Sequence, residues 1–273
     1  MDFNKPIQIF VFTVILLSLF SGCTNEEEVN EEEVNEEENT YCKQLKEQGV
    51  IDNYEFPIVP GTPEWVAFES RTEMINACQI PDSILTNMCT HGLIVTYFNY
   101  PLIHDILSSN IPQIGYDNQS FNGLAELHKR PDALSEMMDY YSNFDLTKIV
   151  ELWDKGDTFN AIDARMMFYI AGIIIYQKDI LGQSDIDIRK ELVKIALSKY
   201  DYMLANNYVS WWFAYYSNAG IMGKAMLMSN FTPLKQAITN DPFLGRLINS
   251  GCHHASSAQI NTIVGYANQF INN

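Results

Sequence analysis

Basic residues are scarce in this chain. Seventeen Lys and Arg face 34 Asp and Glu over 273 residues, a net charge of −17. The few cations form no stripe, so nucleic acid is excluded as a partner: such binders neutralise phosphates with clustered Lys and Arg. The chain also lacks G-x-S-x-G, H-E-x-x-H, C-x-x-C, a P-loop and a dinucleotide fingerprint. Those absences exclude the corresponding enzyme families and no cofactor is predicted. They leave carboxylate enzymes open, because these rarely carry a local signature. Alternating strand patterns of useful length are missing, and no fixed period of self-similarity appears.

What is present begins with Cys23. An apolar run from Ile7 to Phe20 leads into Ser21-Gly22-Cys23, and the chain turns abruptly polar at Thr24-Asn25-Glu26-Glu27-Glu28. The run is too short for a permanent bilayer-spanning helix. The order resembles a bacterial lipoprotein signal, although Phe20 stands where Leu is usual and Lys5 is balanced by Asp2. The resemblance implies that residues 1–22 are a signal peptide and that the Cys23 thiol carries the lipid. An ordinary signal peptide or an uncut helix is the alternative.

Residues 26–39 read EEEVN-EEEVN-EEEN, with nine Glu among fourteen residues. Such a segment buries too little apolar surface to offset the entropy of ordering, so 23–40 reads as a lipidated cysteine and a disordered tether. Asp2 and the nine Glu against Lys5 give residues 1–40 a charge of −9, leaving −8 for residues 41–273. Acidic residues just after the lipidated cysteine resemble a signal for surface display in one group of diderm bacteria. The expected location is therefore the cell envelope, in the outer membrane, with surface exposure.

Four further cysteines, Cys42, Cys78, Cys89 and Cys252, permit two disulfides in an exported protein. Cys78 with Cys89 is the nearest pair in sequence, leaving Cys42 with Cys252; free buried thiols are the alternative, since a body of this size can bury a sizeable core without staples. Cys252-His253-His254 does not read as a metal site, since zinc sites use separated ligand pairs and no second cluster follows. No metal is predicted.

Past Tyr41 the chain reads as helix almost throughout, a single all-α domain over 41–273 with ten to twelve helices, an irregular α-solenoid or a compact multi-helix array. Thr62-Pro63-Glu64 is a helix opening, with a break at Ser70. Pro81-Asp82 restarts a short helix, and Thr90 is expected to cap the next, which stops before Pro101. Pro131-Asp132 and Asp145-Leu146-Thr147 open two more. Met166 to Tyr176 is apolar on every side, as in a helix surrounded by others. Asp185 to Leu204 reads as amphipathic, with Ile188, Leu192, Ile195, Ala196 and Tyr202 near one face. Helices over 211–228, 233–248 and 256–271 follow.

Pro60-Gly61-Thr62-Pro63-Glu64-Trp65, Glu73-Met74, Ala77-Cys78-Gln79-Ile80-Pro81, Asn99-Tyr100-Pro101-Leu102, Phe121-Asn122-Gly123-Leu124-Ala125-Glu126-Leu127 and Asp132-Ala133 resemble a segment of uncharacterised exported bacterial proteins. The resemblance implies a shared helical fold and export, and transfers no catalytic residue.

Three places offer chemistry. Asp154, Asp157 and Asp163 group oxygen ligands, but their spacing does not fit a calcium loop, and Asp157 reads more simply as a helix cap. His104-Asp105 and His128 offer a base beside a carboxylate, yet helix neighbours diverge by about 100°. The richest cluster is 206–218, where Trp211, Trp212, Tyr215 and Tyr216 combine with amides. Aromatic faces and amides suit glycans, and the same residues at helical spacing also fill cores. Two functions follow. The first is a membrane-anchored helical module that binds a protein or glycan. The second is a helical hydrolase or lyase acting on polysaccharide or peptidoglycan.

Overall fold

The computed structural model describes residues 40–108, 111–182, 184–206, 212–250 and 255–273. The expected signal peptide, Cys23 and the expected tether up to residue 39 lie outside them, as do Trp211, Cys252, His253 and His254. The described residues contain no strand, and eleven of their helices have seven residues or more. The chain divides into two units, 1–44 and 45–273; of the first, only the beginning of a helix at 40–47 is described.

The second unit opens with short helices. They are α1 (Pro63–Val66), α2 (Arg71–Ala77), α3 (Asp82–Leu85) and α4 (Thr90–Phe98), then a 3₁₀ turn at Ile103–Leu107, α5 (Pro112–Asp117) and α6 (Asn122–Leu127). Longer helices follow: α7 (Ala133–Ser142), α8 (Leu146–Asp154), α9 (Thr158–Ile175), the four-residue α10 (Lys178–Leu181), α11 (Ile186–Ala205), α12 (Trp212–Met228), α13 (Thr232–Asn240), α14 (Pro242–Ser250) and α15 (Ser257–Asn272).

Local chemistry explains most of the boundaries. The Thr62 hydroxyl accepts from the N–H of Trp65 and Ser70 from that of Glu73, so α1 and α2 start at the expected places. Asp157 caps α9 and Asp185 caps α11, while Ser256 and Gln259 form a capping box on α15. Gly156, at φ +79, closes α8 in the left-handed region that only glycine enters without strain. Two expectations need correction. Thr90 is the first residue of α4 rather than its cap, and its hydroxyl instead donates to Asp132 at 2.6 Å. The helix expected over 233–248 is two helices. Asp241 precedes Pro242 and takes an extended conformation, which the clash with the proline ring favours, so the chain turns there.

Three of the residues singled out over 60–133, Gln79, Ile80 and Asn122, act structurally. The Asn122 amide both accepts from Ile80 N–H (3.0 Å) and donates to Ile80 C=O (2.7 Å), and the Gln79 side chain accepts from Asn122 N–H (2.8 Å). This clasp fixes the start of α6 against the loop between α2 and α3.

The central elements are α9 and α12. Residues 168–177 are buried without interruption, and so are 215–223. The expectation of an enclosed helix at Met166–Tyr176 therefore holds from Phe168 onward, and α12 is a second such helix. The whole of α9 is long and apolar enough, by length and composition, to cross a bilayer; here its apolar part packs against α7, α8 and α12. A Cβ on Gly172 of α9 would come within 2.6 Å of the Ser217 Cβ on α12, so the two helices meet at van der Waals limit. The buried face of α11 runs through Leu192, Val193, Ala196, Leu197, Tyr200 and Met203. It is rotated from the expected one: Ile188 is exposed and Ile195 and Tyr202 lie at its edge.

Cys42 and Cys89 are disulfide-bonded, and Cys78 keeps a free thiol. The expected pairing of Cys78 with Cys89 is thus overturned. Cys78 caps α2 with its side chain fully enclosed in the core, and nearness in sequence across α3 does not turn it toward Cys89. Burial raises the pKa of that thiol. The suggested partner of Cys42, Cys252, lies outside the described residues.

Two outcomes follow from this packing. Gly172→Val should lower the unfolding free energy by about 1–3 kcal/mol in a denaturant titration, because the α9–α12 approach has no room for a branched side chain. Under non-reducing conditions, a thiol alkylating agent should label Cys78 only after denaturation, whereas Cys42 and Cys89 should need reduction first; peptide mass mapping reads both.

Candidate functional site

Between α7 and α8 the chain makes a sharp turn at Asn143–Asp145. Asp145 opens α8: one carboxylate oxygen accepts from the Thr147 hydroxyl (2.6 Å) and from the N–H groups of Thr147 (2.9 Å) and Lys148 (3.3 Å). The Thr147 hydroxyl, with those N–H groups, holds the Asp145 carboxyl below its ordinary pKa. On the other side, Lys199 of α11 donates to the Phe144 carbonyl at 2.8 Å. Half-burial lowers the pKa of that ammonium, and Asp145 opposes the shift.

At this turn Phe144 lines three surface hollows, its ring resting 5.2 Å from the core ring of Phe168. The first, about 520 Å³, extends toward α11 and reaches Lys199 and Tyr202. The second, about 600 Å³, lies between α8 and α9, with Lys148, Asn160 and Asp163 at its border. The third, about 260 Å³, is bounded by His91, Asp139 and Asn143. Tyr140 walls the second and third; one face of its ring is covered by Phe98, stacked at 4.3 Å, and burial pushes its phenol pKa up to about 12. Rings, hydroxyls, amides and charges of both signs thus converge on one surface.

A separate cleft of about 470 Å³ lies among α5, the end of α6 and α10. There the Tyr116 hydroxyl hydrogen-bonds His128 Nε2, and the two rings stack at 5.8 Å. The other ring nitrogen of His128 is 3.9 Å from an Asp179 oxygen. Burial lowers the His128 pKa, with Asp179 opposing, and burial raises that of Tyr116 far above its ordinary value. Tyr116 therefore keeps its proton and donates it, while a neutral His128 accepts at Nε2 and points its Nδ1–H toward Asp179. The order carboxylate, imidazole, hydroxyl matches the logic of an activated nucleophile. Here, however, the enclosed phenol resists ionisation, so the arrangement holds a proton in place. Gln113 and Gln177 exchange amide hydrogen bonds at 3.0 and 3.3 Å and tie α5 to α10 beside it.

The residues singled out by sequence fall elsewhere. Tyr215 and Tyr216 are 9% and 3% exposed, so neither presents a ring face to a glycan. Both lie on α12 among the core residues. Trp211 and the side chain of Trp212 lie outside the described residues. His104 and Asp105 diverge as adjacent residues must: His104 pairs with Asp163 at 3.1 Å, and Asp105 with Arg71. Asp157 caps α9 as expected, accepting from the Asn160 side chain at 2.8 Å. Among the described residues no three His, Cys, Asp or Glu side chains group as metal ligands. Sequence reading missed Tyr140, Phe144 and Lys199 because their convergence depends on elements 55 residues apart in the case of Phe144 and Lys199. The Asp145-Leu146-Thr147 helix start was the only local sign of the turn.

The buried imidazole gives a pH dependence. Its pKa is lower in the folded chain than the ordinary 6.5, so the unfolded chain binds the proton first. The stability contribution is complete above about pH 6.5 and is lost as pH falls through the lower folded pKa. His128→Gln should flatten the fall in stability just below pH 6.5. The loss at stronger acidity should persist, since Asp139, held below its ordinary pKa by Lys46, titrates there. Denaturant midpoints measured across pH 2–8 would show an unchanged slope near pH 6 in the variant if His128 were not responsible.

No family model matches this chain, and neither a curated protein nor a solved structure does so.

Proposed function

We propose that this protein is an extracytoplasmic lipoprotein, anchored through Cys23 and displaying its helical body as a binding module for an extended ligand. The observation that carries the binding reading is the convergence of three hollows on Phe144, a form suited to several contacts along one ligand. The anchor reading is supported by the apolar run, the small residues at Ser21-Gly22 and the Glu-rich tether, which keeps a folded body clear of anionic headgroups. The same acidic stretch supports an outer-membrane location with surface display.

Binding is favoured over turnover because most of the charged groups around the hollows are already engaged. Asp145 caps a helix, Lys199 holds a carbonyl, Lys194 pairs with Glu191 at 2.9 Å, and Asp163 pairs with His104. A hydrolase or lyase would need an acid and a base released from such duties. Asp157 is occupied as a cap, and Asp154 ends α8 on the exposed surface.

Expressed from its full-length sequence in a diderm bacterium, the chain should incorporate labelled palmitate and enter the detergent phase on extraction. Cys23→Ser should abolish both. Protease added to intact cells should remove the body if it is displayed outside. An unlabelled wild-type chain would refute the anchor.

A further inference from the structure

We infer that the hollows around Phe144 take a neutral glycan chain. This inference rests on the binding reading of the same site and names its ligand class.

Charge comes first. Four carboxylates (Asp139, Asp145, Asp163 and Glu191) and three ammonium groups (Lys148, Lys194 and Lys199) border the hollows. The signs nearly balance, and the local pairings already described use much of the remaining field. A polyanion such as a polyuronate or nucleic acid would find no cationic track, and residues 41–273 would repel it with their net −8. A polycation would face ammonium groups in two of the three hollows.

Peptides are disfavoured by the architecture. An extended peptide gains affinity by adding a strand to a sheet edge, and the described residues contain no strand. A helical peptide needs a groove that is apolar along its length. Here polar side chains interrupt the apolar wall: Ser142, Thr147 and Ser198 in the first hollow, Asn160 in the second, Asn143 in the third.

A neutral sugar chain matches both kinds of wall at once. Each ring offers an apolar C–H face and a rim of hydroxyls. Tyr140, Phe144 and Tyr202 supply aromatic surface, with Phe144 common to all three hollows. The hydroxyls and amides supply partners for sugar O–H groups, which both donate and accept. Stacking on flat rings and hydrogen bonding to neutral groups then act together, without net charge.

The test uses the full chain in detergent micelles, by affinity electrophoresis and calorimetry against neutral glucan, xylan and mannan oligosaccharides. A polyuronate, a Pro-rich peptide and an amphipathic helical peptide complete the panel. Phe144→Leu keeps apolar volume but removes the flat ring face, a change that folded cores tolerate. Tyr202→Leu does the same at the edge of the first hollow and serves if the Phe144 variant fails to fold. The expected result is saturable binding of a neutral oligosaccharide, weakened about tenfold or more in a folded variant, a loss of about 1.4 kcal/mol. Neutral-glycan binding untouched by both variants would overturn the assignment to this site. Binding of a peptide or polyuronate alone would overturn the glycan class and leave the binding reading standing. Failure to bind any member of the panel would overturn both.

Discussion

A helical stretch without a solvent face must be met closely on every side, and residues 215–223 of α12 impose that condition on the rest of the body. The helix packs against α9, α11, α13, α14 and α15. Small residues make these approaches possible. Gly172 of α9 lies against Ser217, and Gly223 of α12 lies against Ile248 of α14; a Cβ at either glycine would collide. Not every polar group carried inside is satisfied: the hydroxyls of Tyr176 and Tyr215 are buried without a hydrogen-bond partner, a cost that the surrounding apolar packing offsets. Tyr141 of α7 donates to Asn218 of α12 at 2.7 Å, both fully buried.

That hydrogen bond also shows how the two halves of the body are coupled. Tyr140 and Tyr141 are adjacent on α7 and therefore face different directions. Tyr140 stacks on Phe98 of α4, among the short helices, and Tyr141 stacks on Phe168 of α9, among the long ones. Helix α7 is in this sense the link between a region held by clasps and caps and a region held by close helix packing. The turn at its end, with the Phe144 carbonyl bound by Lys199, follows from that placement. The three hollows are the space left where α7 leaves the core and α8 begins.

Much of the fold was legible because it rests on local signals. Thr62-Pro63, Ser70, Asp157 and Asp185 announce helix starts through side chains that reach their own backbone, and no distant residue is needed. The uninterrupted apolar run to Tyr176 announced an enclosed helix. One misreading was local, the break at Asp241–Pro242; two others occurred where a distant partner competes with a local preference. Thr90 gives its hydroxyl to Asp132 rather than capping α4, and Cys78 points into the core rather than toward Cys89. The candidate site was legible only in the helix start at Asp145. The aromatic cluster at 211–216 attracted attention by composition, but composition does not say whether rings face water or other helices.

The sequence by itself determined an all-helical body, its main helix starts, the scarcity of cations and the strongly acidic N-terminal segment. All of these depend on residue type and near neighbours, through capping, periodicity and charge. Only the tertiary structure decided that Tyr215 and Tyr216 are core residues, that Tyr116, His128 and Asp179 adjoin, and that Phe144 lines three hollows. Each of those depends on which helices surround a given one, a relation between residues tens of positions apart that no local pattern encodes.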